Sequence, residues 1–339
     1  MDAAGEQRSA EAQLEPDRKG KSGWSAIEFF NRYGTGIFLV LVCAFFMAQN
    51  PNFLSLRNIA NILTDVSIYG VIAVGMTFVI ITAGVDLAVG ATLAFASMFA
   101  AWLISKAGVS FGPPWLTALL ASVAVGAIVG YIHGKATTFF NVPAFITTLG
   151  GMTIWRGASM LINDGGPISG FDEGLRWWGT GAILGVPVPV VVFVLVAAAG
   201  YIVQRYTRFG RQIYAIGGNV EAARLTGLNV KAVETSVYMI VGLLSGLAGF
   251  LLMARLNSAE AVAGLNYELR VIASVVIGGA SLAGGVGGIG GTIIGALLIG
   301  VLSNGLVMMG VNAYYQQIVI GVIIVLAVAF DTYAKKHGR

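Results

Sequence analysis

The sequence YTRFGRQIYAIGGNVEAARLTGLNV, residues 206–230, is a polar stretch with apolar runs of membrane-spanning length on both sides. It contains three arginines and one glutamate, and Arg205 and Lys231 lie just outside it. An excess of Lys and Arg in a short loop between spanning segments marks the cytoplasmic face of a membrane protein. We therefore predict that residues 205–231 form a cytoplasmic loop between two spanning helices.

Residues 219–227 of this loop (NVEAARLTG) have the signals of a short helix. Asn219 is a suitable N-cap, Glu221 lies in the first turn where a negative charge is favoured, and Gly227 is a helix stop. A short helix on a cytoplasmic loop can bind a soluble partner. It can equally be a connector only, because the positive-inside bias alone explains the charge.

The composition is that of a polytopic helical membrane protein. The 339 residues are 57% hydrophobic and 11% charged, against about 25% charged in soluble domains; the mean hydropathy is +0.82. Glycine, with 47 residues, is about twice as frequent as usual. The basic residues lie in tails and loops, so they report topology and not nucleic-acid binding.

Spanning helices need about 20 apolar residues, and the hydropathy pattern predicts ten of them in an all-α fold. They cover residues 34–49, 66–82, 88–105, 115–135, 143–162, 187–204, 232–254, 267–282, 291–309 and 314–332. The second and eighth are short, so eight or nine crossings with re-entrant segments remain an alternative. Ten crossings place both termini on the cytoplasmic side and the acidic loop 163–185 outside.

The chain divides into three predicted regions. Residues 1–33 form a polar cytoplasmic tail, without a cleavable signal peptide, followed by a short interfacial helix over residues 24–33. Residues 34–334 form the transmembrane domain, which includes the cytoplasmic loop 205–231. Residues 335–339 (KKHGR) form a basic cytoplasmic tail.

Residues 71–93 and 271–293 form a faint internal repeat, in which an apolar helix, a Gly-rich break and a second helix follow one another. Paired Gly-interrupted segments in two halves of a transporter often flank the transport pathway. The alternative is chance similarity between apolar sequences of low complexity. Eight glycines within residues 278–291 also predict a turn or a broken helix of defined shape.

Asp86 lies between Gly84 and Gly90, in the first of these breaks. An ionised carboxylate at the centre of a bilayer costs about 2.5–3.5 kcal/mol, so it must face protein, water or the interface. Two interpretations are compatible with each other. Asp86 lines the pathway or its gate together with the two glycines, or it caps the N-terminus of the third spanning helix.

Further polar residues lie within the predicted spans. Arg156 can snorkel outwards, pair with Asp164 or line a polar cavity. Asn304, Gln316 and Gln317 can hydrogen-bond a polyol substrate, and they can equally bond across helices.

Enzyme functions find no support in the sequence. Residues 130–136 (GYIHGKA) resemble a P-loop only loosely, because the glycine spacing is short and no Ser or Thr follows the lysine. His133 has no HExxH partner, and two histidines and one cysteine make a metal site implausible. We therefore expect no catalytic residues, no metal and no cofactor, and no ATP hydrolysis by this chain.

Four long stretches resemble the permease subunit of ribose-type monosaccharide ABC importers. The resemblance covers about residues 35–333 and is carried by ITAGVDLAVGAT (81–92) and by residues 141–168, 209–230 and 254–319. Within the third stretch, Glu221-Ala222-Ala223, three further residues and then Gly227 resemble the EAA coupling motif of such permeases. Residues 81–92 depart from the family pattern, with Ala83 and Ala88 in place of a Gly and a Ser, which leaves the exact sugar open.

The resemblance implies a type II-like importer in a bacterial inner membrane. A cytoplasmic ABC ATPase would bind the ATP and dock on the helix of residues 219–229, with contacts from Asn219, Glu221, Ala222, Ala223, Arg224 and Gly227. A periplasmic sugar-binding protein would deliver the substrate. A second permease chain, identical or a close paralogue, would complete the pathway within the lipid bilayer.

Two other transport functions remain open. The same features suit an ABC permease for branched-chain amino acids or another small polar solute. An ion-coupled secondary transporter that uses Asp86 would work without an ATPase.

Overall fold

The computed structural model describes residues 26–312, 314–319, 321–323, 325–326 and 329, with side chains from residue 34 onwards. The predicted tail 1–22 and the basic tail 335–339 lie outside the described residues.

The described chain is built from helices joined by short turns. In chain order the α-helices are α1 Ala26–Gln49, α2 Leu56–Ile81, α3 Val89–Ser105, α4 Pro114–Phe139, α5 Ala144–Leu161, α6 Glu173–Thr180, α7 Val188–Tyr206, α8 Arg208–Gly218, α9 Val220–Leu225, α10 Val230–Leu256, α11 Tyr267–Ile277 and α12 Ile289–Met308. A 3-10 turn, Pro51–Leu54, precedes α2, and residues 314–319 begin a further helical segment. Four two-residue strands pair as β1 Ile168–Ser169 with β4 Ser258–Ala259, and β2 Ala182–Ile183 with β3 Val186–Pro187, both antiparallel.

The polytopic all-α fold predicted from the sequence is confirmed. Five described helices, α2, α4, α7, α10 and α12, are long and apolar enough to cross a membrane, and the apolar part of α1 (Gly34–Gln49) and α3 are shorter. Each other predicted span also contains helical residues, so ten crossings stay a prediction.

Three predicted boundaries differ from the structure. Helix α1 continues from Ala26 to Gln49 without a break at residue 33. The second span is longer than residues 66–82, because α2 begins at Leu56, where the Ser55 side chain accepts a hydrogen bond from the amide of Asn58. The eighth is shorter than 267–282, because α11 ends at Ile277 and positive φ angles follow at Gly279 and Gly284.

Helix α2 lies at the centre of the molecule. From Val66 to Ile81 its residues are mostly apolar and are buried on every side, and the helix packs against α10, α11, α12 and α7. A helix that is hydrophobic all round is typical of a position inside a bundle. The hydroxyl group of Tyr69 donates to the carbonyl of Ala296, and Thr77 and Thr292 share a hydrogen bond of 2.7 Å, so polar contacts also fix α2 against α12.

Helices α4 and α10 form the closest antiparallel pair of the described chain. Three glycines spaced four residues apart on α4 meet the backbone of α10, so that a Cβ at Gly126 would lie 2.3 Å from the Gly242 carbonyl oxygen. A Cβ at Gly130 would lie 2.2 Å from the carbonyl oxygen of Tyr238. Small residues at this spacing let helix backbones approach closely in a membrane.

The helix–break–helix form predicted for both repeat segments is confirmed. Residues 82–88 separate α2 from α3, and residues 278–288 separate α11 from α12. Both breaks need unusual backbone, with φ of +60° at Ala83 and +85° at Gly284.

Candidate functional site

The basic loop contains two helices where the sequence predicted one. Helix α8 begins after Thr207, whose side chain accepts a hydrogen bond from the amide of Gly210. Its buried positions Gly210, Ile213 and Ile216 recur at a spacing of three residues, which is the signal that indicates an amphipathic helix. This spacing is the sequence signal for a second helix in the loop.

The second helix of the loop, α9, has the ends that the sequence predicts. The Asn219 side chain accepts a 3.0 Å hydrogen bond from the amide of Ala222, so Asn219 is the N-cap. Glu221 lies in the first turn and forms a 2.9 Å ion pair with Arg224. Gly227 follows with φ of +82°, a conformation that glycine adopts without strain.

Only one face of α9 is used by the chain itself. Ala223 is buried, whereas Glu221 and Arg224 have more than half of their side-chain surface exposed. Leu225 is 88% exposed at the end of the helix. An exposed leucine beside charged residues on a projecting helix is a feature that a protein partner can bind.

The loop contacts both helix breaks through the end of α8. The amide of Gly285 donates a 2.9 Å hydrogen bond to the carbonyl oxygen of Ile81, which joins the two breaks directly. Gly217 is wedged between them, because a Cβ there would lie 1.8 Å from that same carbonyl oxygen and 2.5 Å from the Gly285 nitrogen. The predicted cytoplasmic loop and the two predicted pathway segments therefore meet at one place.

Asp86 lies in the first break and is 1% exposed. Its Oδ1 accepts a 2.8 Å hydrogen bond from the amide of Ala88, the residue before α3. Ala88 is itself the N-cap of α3, and the helix has no side-chain N-cap hydrogen bond, so the capping interpretation is not confirmed in that form. Asp86 instead binds the amide of the N-cap residue from two positions before it, at the positive end of the helix dipole. Asp86 does not reach solvent from the described part of the chain.

The second oxygen of Asp86 faces His133 of α4, with 3.6 Å between Oδ2 and Nδ1. The indole Nε1 of Trp155 donates a 3.0 Å hydrogen bond to the other imidazole nitrogen, Nε2. The Nδ1 atom is buried and forms no hydrogen bond within the described residues, so its 3.6 Å distance from Oδ2 is a close approach and not a hydrogen bond. Tyr238 closes the group, because its hydroxyl would lie 2.6 Å from a Cβ at Gly84.

The segment between β4 and α11, residues 260–266, packs against Gly90 and is bound by Arg156. A Cβ at Gly90 would lie 2.3 Å from the carbonyl oxygen of Gly264, so the segment packs directly on the first turn of α3. Arg156 donates hydrogen bonds of 2.8 and 2.7 Å to the carbonyl oxygens of Ala261 and Ala263. Arg156 therefore binds backbone, and among the described residues it forms no ion pair with Asp164.

A second polar group lies between α2, α10 and α11, towards the end of the bundle opposite to the basic loop. Asp65 of α2 is 3.3 Å from Arg255 and 4.0 Å from Arg270. A cavity of about 440 Å³ adjoins them, and its lining also includes polar groups of Asn61, Ser303 and Asn304. These side chains offer donors and acceptors of the kind that bind hydroxyl groups.

Asn304 and Gln316 are bound to the chain itself. Asn304 and Asn58 exchange two hydrogen bonds of 2.9 and 3.0 Å between α12 and α2. The amide nitrogen of Gln316 donates to the Val311 carbonyl oxygen at 3.0 Å. These contacts support the interpretation that the two amide side chains bond within the protein. Their contact with a substrate stays a prediction.

Similarity to known proteins decides between the kinds of membrane protein that have this architecture. Residues 58–328 match the family described as branched-chain amino acid transport system / permease component. The chain belongs to this permease family. Similar proteins include the ribose import permease protein of Escherichia coli (strain K12), 45% identical over 87% of this chain and 92% of that protein. The ribose import permease protein of Bacillus subtilis (strain 168) is 45% identical over 87% and 90%, and the D-allose transport system permease protein of E. coli is 39% identical over 91% and 94%. No solved structure has significant similarity to the chain.

Membership of the permease family makes the chain a transport subunit and not an enzyme. The structure distributes the predicted site residues over three places. The exposed helix α9 and its ends contain the predicted coupling residues Asn219 to Gly227. The first break and the segment packed on it contain Gly84, Asp86, Gly90 and Arg156. The opposite end of the bundle contains Asn304 and Gln316.

Sequence reasoning missed the partners of these residues in the permease. Asp65 and Arg255 were assigned no role, and His133 was considered only as a metal ligand. A charged residue inside an apolar run, such as Asp65, is the signal that would have identified the first pair. The described residues contain no cluster of three His, Cys, Asp or Glu side chains that could hold a metal.

Proposed function

We propose that the chain is the permease subunit of an ABC importer and forms the translocation pathway for a monosaccharide, ribose or a related sugar. The relatives named for ribose and D-allose cover nearly the same length as this chain, which supports a sugar as the solute. The structural observation that carries the proposal is the contact of the basic loop with both helix breaks, at Ile81, Gly217 and Gly285.

A displacement of the basic loop would be transmitted directly to the proposed pathway. Helix α9 projects Leu225 and the Glu221–Arg224 pair away from the bundle, while α8 rests on both breaks. A separate ATPase subunit that binds ATP and docks on residues 219–229 would displace α8 and thereby shift the ends of α2 and α12. We assign the coupling role to Asn219, Glu221, Ala222, Ala223, Arg224 and Gly227.

The pathway is proposed to run past the polar group at the opposite end and on towards the breaks. Asp65, Arg255 and Asn304 border a cavity at its entrance, where a binding protein would release the sugar. Gly84, Asp86 and Gly90 shape the break at which access changes. Asp86 acts there through its hydrogen bond from the Ala88 amide and its proximity to His133. Arg156 fixes the segment packed on Gly90.

A second permease chain is part of the proposal. Helix α5 leaves open space for a Cβ at Gly150 and Gly157 and exposes Ile146, Leu149 and Ile154 beside them. Small residues between apolar ones suit close packing against another helix in the bilayer. We place the complex in the bacterial inner membrane, with both termini and the basic loop in the cytoplasm.

The competing functions differ in what they require of Asp86 and of the solute. An ion-coupled transporter needs a carboxylate that exchanges protons or ions with water, whereas Asp86 is 1% exposed and bonded within the chain. The family description names branched-chain amino acids, so transport of an amino acid is the second candidate. Uptake of radiolabelled ribose, D-allose and leucine in the same cells separates it from a sugar importer.

The experiment that tests the proposal is co-purification of the ATPase with tagged chain from native membranes. We expect a P-loop ATPase in similar amount with the wild-type chain and its loss with Leu225→Asp. Leu184→Asp is the matched control, because Leu184 is fully exposed on another loop. Equal recovery of the ATPase with all three chains would contradict docking on α9, and absence of any ATPase in several detergents would contradict the ABC importer.

A further inference from the structure

A cavity of about 370 Å³ lies beside the basic loop, between the end of α7, α8 and the start of α12. Tyr201, Gln204, Arg205, Arg211 and Tyr214 line it together with the backbone of residues 287–290. The described residues that line it include no Asp or Glu. The cavity is distinct from the α9 surface assigned to the ATPase, because no residue of 219–229 lines it.

Two of the lining side chains form a fixed wall. The Oε1 of Gln204 accepts a 3.1 Å hydrogen bond from the amide of Ile289, the first residue of α12. The Nε2 of Gln204 donates to the Tyr214 hydroxyl at 2.7 Å, and that hydroxyl donates to the Gly287 carbonyl oxygen at 2.6 Å. Gln204 and Tyr214 thus bond to the protein, and their role is to hold α7, α8 and the second break together around the cavity.

The positive groups of the cavity are left without partners. Neither Arg205 nor Arg211 forms a hydrogen bond or an ion pair through its side chain within the described residues. The amide of Gly290 has no acceptor in the same part of the chain and lies in the first turn of α12, at the positive end of a 20-residue helix. Two free guanidinium groups in one cavity favour a ligand with a phosphate group, which they can bind by paired hydrogen bonds.

The position of the cavity indicates where the phosphate comes from. Tyr201 and Tyr206 stack edge to face with ring centres 6.4 Å apart, and both are exposed at the end of the apolar helix α7. Exposed aromatic residues at the end of a spanning helix mark the level of the lipid head groups, where terminal arginines also lie. We propose that this cavity binds the phosphate of an anionic phospholipid such as phosphatidylglycerol, with Arg205 and Arg211 as the ligand-binding side chains.

The test uses the full chain, stripped of lipid in a mild detergent and titrated with dioleoyl phosphatidylglycerol in mixed micelles. The rise of the thermal unfolding midpoint gives an apparent Kd. We expect Arg205→Gln with Arg211→Gln to weaken binding about 100-fold, since each direct hydrogen bond to a charged group contributes about tenfold. The matched control is Lys135→Gln with Lys231→Gln, which removes the same charge from two exposed residues near the same end of the bundle, outside the cavity. It should change the Kd less than about threefold, because these two charges do not contact the lipid in the cavity and their longer-range attraction is screened by salt.

Other outcomes would overturn the proposal. Equal weakening by both double variants would show that the lipid is attracted to the basic surface in general and not to the cavity. Equal binding of phosphatidylcholine, which has no net charge, would show that the cavity does not select an anionic lipid. Displacement of the lipid by millimolar inorganic phosphate would show a site for the free anion. Unchanged lipid binding with loss of the ATPase in Arg205→Gln/Arg211→Gln would show that a protein covers the arginines.

A further variant keeps the proposal testable if the double variant Arg205→Gln/Arg211→Gln does not fold. Gly290→Leu keeps both arginines and places a side chain in the cavity, and nothing lies within 4 Å of a Cβ at this position, so the fold has room for it. We expect Gly290→Leu to weaken phosphatidylglycerol binding by tenfold or more while leaving the midpoint without lipid unchanged. Full binding by this variant would overturn the proposal on its own.

Discussion

Replacement of Gly217 by alanine is the sharpest test of the link between the basic loop and the helix breaks. The added Cβ would lie 1.8 Å from the Ile81 carbonyl oxygen, against an ordinary contact of 3.4 Å, so α8 must move by roughly 1.6 Å. Overpacking of this kind costs about 1–3 kcal/mol, and loss of the Gly285–Ile81 hydrogen bond costs about 1 kcal/mol more. Alanine regains about 1 kcal/mol of helix propensity, so the net loss of unfolding free energy is about 1–3 kcal/mol.

The neighbouring glycine supplies the control for this test. Gly218 is also in α8, but nothing lies within 4 Å of a Cβ there, so Gly218→Ala should be neutral or slightly stabilising. We expect Gly217→Ala to lower the thermal midpoint by several degrees and to reduce ATP-driven uptake more than ATP hydrolysis, because the loop no longer rests on both breaks. Wild-type midpoint and uptake in Gly217→Ala, or the same loss in both variants, would refute the proposed contact.

Three further predictions concern separate parts of the permease. Glu221→Arg should abolish uptake while changing the free energy of unfolding by less than about 1 kcal/mol, since the Glu221–Arg224 ion pair is exposed. Uptake and the thermal midpoint of the variant test this, and normal uptake would contradict a coupling role for Glu221. Asp86→Ala should lower the unfolding free energy by about 1–3 kcal/mol, because the buried amide of Ala88 loses its acceptor. Asp86→Asn should lower it less, because an acceptor oxygen remains, and equal unfolding curves for the wild type and Asp86→Ala would contradict this role of the hydrogen bond. Gly130→Ala should lower the unfolding free energy by about 1–3 kcal/mol, because the added Cβ overpacks the α4–α10 contact, whereas Gly150→Ala, where the Cβ meets open space, should leave it unchanged. The thermal midpoints of the two variants test this, and equal midpoints would contradict it.

The parts of the fold that could be predicted from the sequence are those fixed by neighbours along the chain. Asn219, Glu221 and Gly227 act through local backbone chemistry, so the limits of α9 follow from residue type and spacing. Helix α8 has the same kind of local signal in the spacing of Gly210, Ile213 and Ile216.

The start of α2 has a local signal in the Ser55 N-cap, but distant residues decide whether the polar residues of its first turns are tolerated. Asn58 and Asp65 lowered the apparent hydropathy, so the predicted span began at residue 66. In the structure Asn58 bonds to Asn304 and Asp65 pairs with Arg255, and these partners make polar residues acceptable in the helix. The same holds for Asp86: its location just before α3 follows from the sequence, whereas its proximity to His133 depends on the packing of α4.

At Gly217 the contact between the loop and the two breaks is made by backbone atoms, although the Tyr214 side chain also binds the second break. Gly217 meets the Ile81 carbonyl and the Gly285 amide, and the Gly217 carbonyl oxygen would lie 2.9 Å from a Cβ at Gly284. Side chains can absorb a small displacement by changing rotamer, but peptide groups in direct contact cannot, because only the two backbone torsions of each residue are soft. A shift of α8 must therefore move the ends of α2 and α12 together, or break the hydrogen bond between them. The glycines of the second break are the reason that so short a loop can act on both halves of the permease at once.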